Sequence, residues 1–312
     1  MATEVHIFSM DTIQEMKRYY HEEITTTPQG ALFQAKTKNA VVTAYKSGKV
    51  MFQGKSPSQE LQQWEGKMQS AIKTAKSVVN KKSAHSYAPP ETLFAQSHIG
   101  TDEAGTGDYF GPITVSGVFV RKEQISKLRT LGVKDSKNLS DPAIMELSKE
   151  IVKEKIPYAL LILHNDKYNE LQAKGWSQGK MKAMLHQHVI SKLLQKIGDA
   201  KMDGILIDQF CEPGIFIKHI KSERQTLFDH TYFMTKAESY SIAVAAASII
   251  ARARFVQEMD TLSERLDIHL PKGASKKVDR TIAQIIKVKG KDTLNSYAKL
   301  HFANTTKAQQ YL

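Results

Sequence analysis

The sequence predicts an α/β protein in which a mixed β-sheet carries helices on its faces, preceded by a small α+β domain. Beyond a short segment rich in Ser and Pro, strand patterns alternate with helix patterns to the end of the chain. Before that segment, one helix pattern is followed by short alternating strands and a second helix pattern. We therefore predict an N-terminal domain over residues 1–80, a linker over 81–94 and a larger domain over 95–312.

In the N-terminal domain, residues 10–23 have the pattern of a helix, with Ser9 or Asp11 as its N-cap. The stretch ALFQAKTKNAVVTAYKSGKVMFQGK alternates apolar and polar residues and contains Lys-Asn and Ser-Gly turn signals. It predicts an antiparallel meander. An apolar stripe over residues 58–79 predicts the second helix.

Lysines and aromatic residues alternate along these strands, which allows two interpretations. They are Lys36, Lys38, Lys46 and Lys49 among Phe33, Tyr45 and Phe52. Such a surface suits a nucleic-acid backbone with base or sugar stacking. An ordinary amphipathic sheet, with the aromatic rings inside and the lysines in solvent, explains the same pattern and is the favoured interpretation.

The larger domain shows four strand patterns and four helix patterns. The third strand pattern, YALLILH, is apolar throughout and predicts a strand covered on both faces. The predicted strands are SHIGTDEAG, residues 112–120, residues 158–164 and residues 204–208, and the predicted helices are residues 178–196, 239–266, 278–288 and 292–299.

Composition limits the class of partner and the compartment. The formal net charge is +12 and the sequence pI is about 9.4, which favours nucleic acid first and an anionic membrane second, beside the plainer explanation of a lysine-rich surface. The single cysteine, Cys211, cannot form an internal disulfide. No apolar run approaches the ~20 residues of a transmembrane helix, and the first residues lack a signal-peptide pattern. We expect a cytoplasmic protein that does not enter a membrane.

Four acidic residues lie beside apolar segments that we expect to be buried. Asp102 and Glu103 leave a strand in GTDEAGTGDYFGP, Asp208 closes the apolar run of GILID, and Glu238 stands at the entrance to a very apolar helix. A buried carboxylate is costly unless it is paired or binds a metal. Each acid also has an ordinary explanation, as a turn residue, a cap or a charge at a helix N-terminus.

If these acids meet at one edge of the sheet, their mutual repulsion is removed by a divalent cation. Mg²⁺ takes one or two carboxylates, keeps several waters and accepts phosphate oxygens as further ligands. The turn Gly105-Thr106-Gly107 lacks both the P-loop lysine and the dinucleotide-binding spacing. It does offer backbone N–H groups without side-chain obstruction, so a sugar-phosphate chain can lie close to the acids.

Several motifs together resemble the bacterial ribonuclease HIII family, the type 2 branch of ribonucleases H. They occur in the family's order and extend over residues 95–305: GTDEAGTGDYFGP, VKDSKNLS, ILIDQF, KAESYSIAVAAASIIAR, LPKGAS and AKLHFANT. The resemblance implies an RNase H-like fold for the larger domain. It also implies that the N-terminal domain resembles half of the TATA-binding protein and holds the substrate.

The resemblance further implies an endonuclease that hydrolyses the RNA strand of RNA–DNA hybrids and leaves 5′-phosphate and 3′-hydroxyl ends. The catalytic and metal-binding set lands on Asp102, Glu103, Asp208 and Glu238, holding two Mg²⁺ or Mn²⁺ ions, with Asp102 bridging them. Glutamate in the fourth place is typical of the HIII branch. Gly-Thr-Gly stands where ribonucleases HII have Gly-Arg-Gly, so we expect poor cleavage at a single embedded ribonucleotide.

The remaining predictions concern contacts with the hybrid. Backbone groups of Gly105, Thr106 and Gly107 are expected to read the 2′-hydroxyl, and Lys134, Ser136 and Lys137 to contact phosphates, unless their segment is only a polar loop before a helix. Lys180 and Lys182 are candidates for the DNA strand. We interpret His186, His188 and His301 as structural, Cys211 as unreactive, and the protein as a monomer. A hybrid-binding protein without catalysis is the alternative, which predicts binding without metal; a P-loop-type transferase lacks its lysine.

Overall fold

The structure is a computed structural model that describes residues 2–28, 30–54, 56–64, 67, 86–134 and 139–312. Contacts between residues divide the chain into two compact units, Met1–Asn80 and Lys81–Leu312. Each unit has its own β-sheet. The predicted linker, residues 81–94, is described only from residue 86 onward.

The N-terminal unit is a four-stranded antiparallel sheet in the order β1-β4-β3-β2. The Ser9 hydroxyl caps α1, because it accepts a 3.1 Å hydrogen bond from the Thr12 N–H. The elements are β1 Ala2–Ile7, α1 Met10–Tyr19, β2 Ala31–Lys36, β3 Ala40–Tyr45, β4 Lys49–Gly54 and α2 Pro57–Gln62. Strand β1 was not predicted, and the predicted helix over 58–79 is described only in its first part.

The core of this unit supports the ordinary interpretation of the alternating strands. Phe33 and Phe52 are fully buried on the inner face of the sheet, beside Ile13, Met16 and Trp64. The four lysines of the pattern are exposed. The meander and its two turns are confirmed.

The larger unit contains a five-stranded sheet in the order β7-β6-β5-β8-β9, so the mixed α/β fold is confirmed. Strand β6 is antiparallel to β5 and β7, whereas β8 is parallel to β5 and β9. The elements are β5 His98–Ala104, β6 Ile113–Val120, α3 Lys122–Thr130, α4 Asp141–Lys153, β7 Tyr158–Leu163, α5 Asn165–Ala173, α6 Gln178–Ile197, β8 Gly204–Asp208, α7 Pro213–Ser222, β9 Thr231–Met234, α8 Ile242–Leu266, α9 Lys276–Lys289 and α10 Asn304–Lys307.

Helices α8 and α6 contact opposite faces of the central strand β5. On one face, a Cβ added to Gly100 would lie 2.2 Å from the backbone nitrogen of Val244, so only glycine permits this close approach of α8. On the other face, His186 of α6 is hydrogen-bonded to the Thr101 hydroxyl at 2.8 Å. Side chains alternate between the two faces of a strand, so consecutive residues of β5 meet different helices.

The predictions for single elements have mixed outcomes. Strand β7 packs on both faces as predicted, with Leu160 against the cluster on the α8 side and Leu161 against the cluster on the α6 side. Its side chains are mostly half-buried, because it is an edge strand that pairs only with β6. The helix predicted over 292–299 is a 3₁₀ helix, Lys291–Ser296. Helix α8 begins at Ile242, and Ser241 caps it by accepting the Val244 N–H. Strand β9 was not predicted.

In the part of the chain that the structure describes, no helix combines the length and the apolar character that crossing a bilayer requires.

Candidate active site

Asp102 and Asp208 lie side by side on neighbouring parallel strands, at the point where the pairing of β5 with β8 stops. The register between β5 and β8 pairs Thr101 with Ile207, and each acid is the residue that follows directly. Asp208 Oδ1 accepts a 2.8 Å hydrogen bond from the N–H of Ala237. That bond brings the 3₁₀ turn Ala237–Ser239, which contains the buried Glu238, to the end of β8. Three of the four predicted acids therefore approach one edge of the sheet.

Asp102 is buried, with 8% of its surface exposed. Burial raises the pKa of its carboxyl well above the ordinary value, and the charges of Glu103 and Asp208 raise it further. Hydrogen bonds from the Ser248 side chain and, at 2.7 Å, from the Glu103 N–H act in the opposite direction. The carboxyl thus sits where negative charge is already concentrated.

Glu103 extends to the face of the sheet that α6 covers. Lys182 Nζ donates to Glu103 Oε1 at 2.7 Å, and His186 Nε2 lies 2.9 Å from Glu103 Oε2. Burial alone would raise the pKa of the Glu103 carboxyl, but the bond from His186 and the charge of Lys182 outweigh it, so the pKa is lowered. This acid is held as a carboxylate.

An aromatic ring completes the surroundings of Glu103. Lys182 Nζ lies 3.9 Å from the centroid of the Phe210 ring, a cation–π distance, and the His186 ring stacks on Phe210 at 5.3 Å. His186 is fully buried, and its Nδ1 is 2.8 Å from the Thr101 hydroxyl. Lys182, His186 and Phe210 together fix the position of the Glu103 side chain.

The two adjacent acids are therefore separated by the sheet, Asp102 toward α8 and Glu103 toward α6. In this arrangement the described residues contain no group of three His, Cys, Asp or Glu side chains that could hold one metal ion between them.

The turn that follows Asp102 and Glu103 leaves its backbone accessible at Gly107. Gly105 has φ +85°, and a Cβ there would lie 2.3 Å from the carbonyl oxygen of Pro112, so the position requires glycine. A Cβ at Gly107 would meet no atom within 4 Å. Gln178 Nε2, at the start of α6, donates to the Thr106 carbonyl at 3.1 Å and fixes this side of the turn.

The side chains predicted to contact nucleic acid lie in different surroundings. Lys134 is exposed, and Ser136 and Lys137 are outside the described residues. Lys180 pairs with Glu223 at 2.5 Å and lies 4.2 Å from the centroid of the Trp176 ring. Lys182, expected to face the DNA strand, is instead buried against Glu103, because its position on α6 faces the sheet.

Sequence reasoning missed His186, which we interpreted as merely structural. A signal was present: Lys182 and His186 are four residues apart on a helix, so they share one face. Thr101 and Glu103 are two residues apart on a strand and also share one face. The half-buried Cys211 fits the prediction of an unreactive thiol, because burial raises its pKa.

Comparisons with known proteins agree with this architecture. The family model described as ribonuclease HII matches residues 99–305, and one described as a domain of unknown function (DUF3378) matches residues 3–77. The ribonuclease HIII of Oceanobacillus iheyensis is 57% identical over the whole of both chains. That of Bacillus subtilis is 49% identical, covering 99% of this chain and 98% of its own. A crystal structure of Bst-RNase HIII in complex with Mn²⁺ has a TM-score of 0.69 at 40% identity, covering 99% of this chain and 98% of that one.

The mixed five-stranded sheet, with acids ending its central parallel strands, defines an RNase H-like enzyme. Within that class, the identities over the full length are decisive: the chain belongs to the ribonuclease HIII family. The resemblance stated from the motifs and the predicted enzyme class are confirmed.

Proposed function

We propose that this enzyme hydrolyses the RNA strand of RNA–DNA hybrids and leaves 5′-phosphate and 3′-hydroxyl ends, using two Mg²⁺ or Mn²⁺ ions. The observation that carries the proposal is the adjacency of Asp102 and Asp208 at the ends of paired parallel strands, with the Glu238 turn bonded to Asp208. The names of the relatives and the Mn²⁺ complex of Bst-RNase HIII support it.

The donor set fits such ions. Carboxylate oxygens are the hard ligands that Mg²⁺ prefers, and this ion needs only one or two of them because it keeps waters and takes up phosphate oxygens. Burial, with the added charges of Glu103 and Asp208, raises the pKa of Asp102, so its carboxylate form is costly without a nearby cation. A divalent ion would supply the positive charge that stabilises this carboxylate.

Asp102, Asp208 and Glu238 are the residues we propose to hold the ions from the α8 side of the sheet. Glu103 is the fourth proposed ligand, and its present partners are Lys182 and His186. When bound, the two ions supply an activated water and neutralise the charge that develops on the phosphate. The burial of Asp102 and Glu238 keeps their carboxylates away from bulk water and fixed in orientation.

The ribose is proposed to lie against the turn from Gly105 to Gly107. No side chain obstructs the backbone at Gly107, where even an added Cβ would meet no atom within 4 Å. Backbone groups can therefore approach a 2′-hydroxyl, which distinguishes RNA from DNA. The Gly-Thr-Gly sequence of this turn leads us to propose poor cleavage at single embedded ribonucleotides.

The excess of 12 positive charges is proposed to bind the phosphates of the hybrid. Lys134, which is exposed, and Lys180, which is half-buried and paired with Glu223, remain candidates for such contacts, as do Ser136 and Lys137. The cytoplasmic location, the monomeric state and the role of residues 1–80 in holding substrate also remain proposals. Light scattering of the purified chain tests the oligomeric state.

The decisive experiment is cleavage of three labelled duplexes with Mg²⁺ or Mn²⁺: an all-RNA strand on DNA, one ribonucleotide in DNA, and DNA alone. We expect cleavage of the first duplex only, with 5′-phosphate ends, and none by Asp102→Asn. Efficient cleavage at the single ribonucleotide would contradict the proposed preference. Binding of the hybrid without cleavage under either metal would favour the alternative of a binding protein.

A further inference from the structure

The segment that follows the 3₁₀ helix Lys291–Ser296 crosses the loop that follows Asp102 and Glu103. Phe110 and Ala298 form an antiparallel bridge. The Lys299 N–H donates to the Tyr109 carbonyl at 2.8 Å, and the Gly111 N–H donates to the Tyr297 carbonyl at 3.0 Å. The end of the chain thus lies against the connection between β5 and β6.

The side chain of Lys299 folds back into this connection and is fully buried. Its Nζ donates to the carbonyl oxygens of Asp108, at 2.8 Å, and Gly111, at 2.5 Å. Asn165 Nδ2 donates to the same Gly111 oxygen at 2.9 Å. One ammonium group therefore joins both ends of the four-residue segment 108–111.

The Lys299 ammonium donates to backbone carbonyl oxygens and not to a carboxylate. The Asp108 carboxylate, the nearest acid that influences it, is itself bonded to the Gly273 N–H at 2.6 Å. The other facing groups are the Tyr168 ring, 5.9 Å from Nζ, and His301, which stacks on Tyr168. Burial lowers the pKa of Lys299 to about 7, against the smaller opposing influence of Asp108.

We propose that Lys299 is a positioning residue that holds the loop 105–111, and with it the backbone groups that face the ribose. The inference rests on the proposed function, because that function places the ribose at this loop. It assigns a mechanical role to a residue about 200 positions from Asp102 and Glu103 in the chain.

Two features of the geometry carry the inference. A buried ammonium is costly, so packing alone favours an apolar side chain at position 299. Among the described residues, Gln178 holds the start of the loop through the Thr106 carbonyl, and the Gly273 backbone bonds to the Asp108 carboxylate and to the Tyr109 N–H. Lys299 adds the ammonium group that joins the carbonyl oxygens at both ends of the segment 108–111.

The direct test is amide hydrogen exchange across residues 105–111 in the full-length chain. Lys299→Met should speed exchange in this loop about tenfold or more while leaving α8 unchanged. The matched control is Lys287→Met, because Lys287 also donates to a backbone carbonyl, that of Tyr311, but is exposed. Unchanged exchange in the loop, or faster exchange throughout the unit, would overturn the inference.

Cleavage of the hybrid provides the second readout. Lys299→Met should lower kcat by about 10- to 100-fold, as expected for a small misplacement of a contact group, with KM within about twofold. Lys287→Met should match wild type. Wild-type kinetics in Lys299→Met would contradict a positioning role. If the wild type cleaves no hybrid, the proposed function fails, whereas hydrogen exchange still decides whether Lys299 holds the loop.

A second substitution tests the inference if Lys299→Met does not fold. Asn165→Ala removes the other donor to the Gly111 carbonyl and leaves Lys299 in place. If Lys299→Met is unfolded by circular dichroism, Asn165→Ala should show faster exchange confined to the same loop. Unchanged exchange in Asn165→Ala would then overturn the inference.

Discussion

Lys182 Nζ lies 2.7 Å from Glu103 Oε1, and the two side chains are only 9% and 12% exposed. This ion pair joins α6 to the central strand on the side of the sheet away from α8. It explains how two adjacent acids coexist on β5: Glu103 has a cation of the protein itself, whereas Asp102 forms no ion pair with any of the described residues.

Removing this cation should destabilise the fold. Breaking a buried ion pair by deleting one partner costs about 3–5 kcal/mol, because the remaining charge stays buried. We expect Lys182→Met to lower the free energy of unfolding by about 3 kcal/mol in urea titrations. Lys180→Met, two residues away on α6, is the control and should cost about 1 kcal/mol or less, since its pair with Glu223 is more exposed. If both variants lose the same free energy of unfolding, the buried Lys182–Glu103 pair contributes no more to stability than the Lys180–Glu223 pair.

Removing the charge of Asp102 should have the opposite effect on stability. Asp102→Asn relieves repulsion with Glu103 and Asp208, so without divalent metal its free energy of unfolding should exceed that of wild type by about 1–4 kcal/mol. Its activity on the hybrid should be lost. Thermal unfolding in EDTA measures the stability of each protein without metal, and thermal unfolding in Mn²⁺ measures the stabilisation by the ion. Mn²⁺ should stabilise wild type far more than Asp102→Asn. A less stable Asp102→Asn protein in EDTA would argue against repulsion at this site.

The glycine turn allows a matched steric comparison. Gly105→Ala combines a left-handed backbone conformation with a Cβ 2.3 Å from the Pro112 carbonyl oxygen, so it should cost about 2 kcal/mol or more and greatly reduce cleavage. Gly107→Ala adds a methyl group to open space and should leave stability within about 0.5 kcal/mol. Differential scanning calorimetry of both variants checks this. Similar unfolding temperatures for the two would refute the assigned geometry of the turn.

The pKa of Lys299 predicts a dependence of stability on pH. Burial lowers it to about 7 from 10.5, so between these values the unfolded chain binds more protons than the folded one. The free energy of unfolding therefore rises with pH across this window, by up to about 1.4 kcal/mol per pH unit, and the gain is lost as the pH falls toward 7. Urea titrations from pH 7 to 10 on wild type and Lys299→Met isolate this effect, since all other groups are shared. Parallel curves for the two proteins would contradict the lowered pKa.

Much of the fold follows from local patterns, and its exceptions have physical causes. Strand β8 is evident from its continuous apolar run, and the meander is evident from its regular alternation and its distinctive turn residues. Strand β9 was missed because its four residues are too short to show a period. The exposure of β7 depends on its place at the edge of the sheet, which is set by pairing with distant strands and not by its own apolar sequence.

The site was predicted in part. Chemistry alone singled out Asp102 and Asp208, because a carboxylate at the end of a buried strand is unusual, and the structure brings them together. The spacing places Lys182 and His186 on one face of α6, but their attachment to Glu103 depends on which face of β5 receives α6, and local sequence does not determine that. The role of Lys299 was likewise hidden, because a lysine in a polar segment gives no sign of burial.

The parallel pairing of β5 with β8 also has a kinetic consequence. About a hundred residues separate these strands, so the acids on them meet only after a long loop closes, a slow step in folding. A ribosome-bound chain that has exposed only its first 200 residues already displays Asp102 and Glu103 but lacks Asp208 and Glu238. If these four acids form the proposed active site, we expect nuclease activity to begin only after the last third of the polypeptide has emerged and folded onto the rest of the unit.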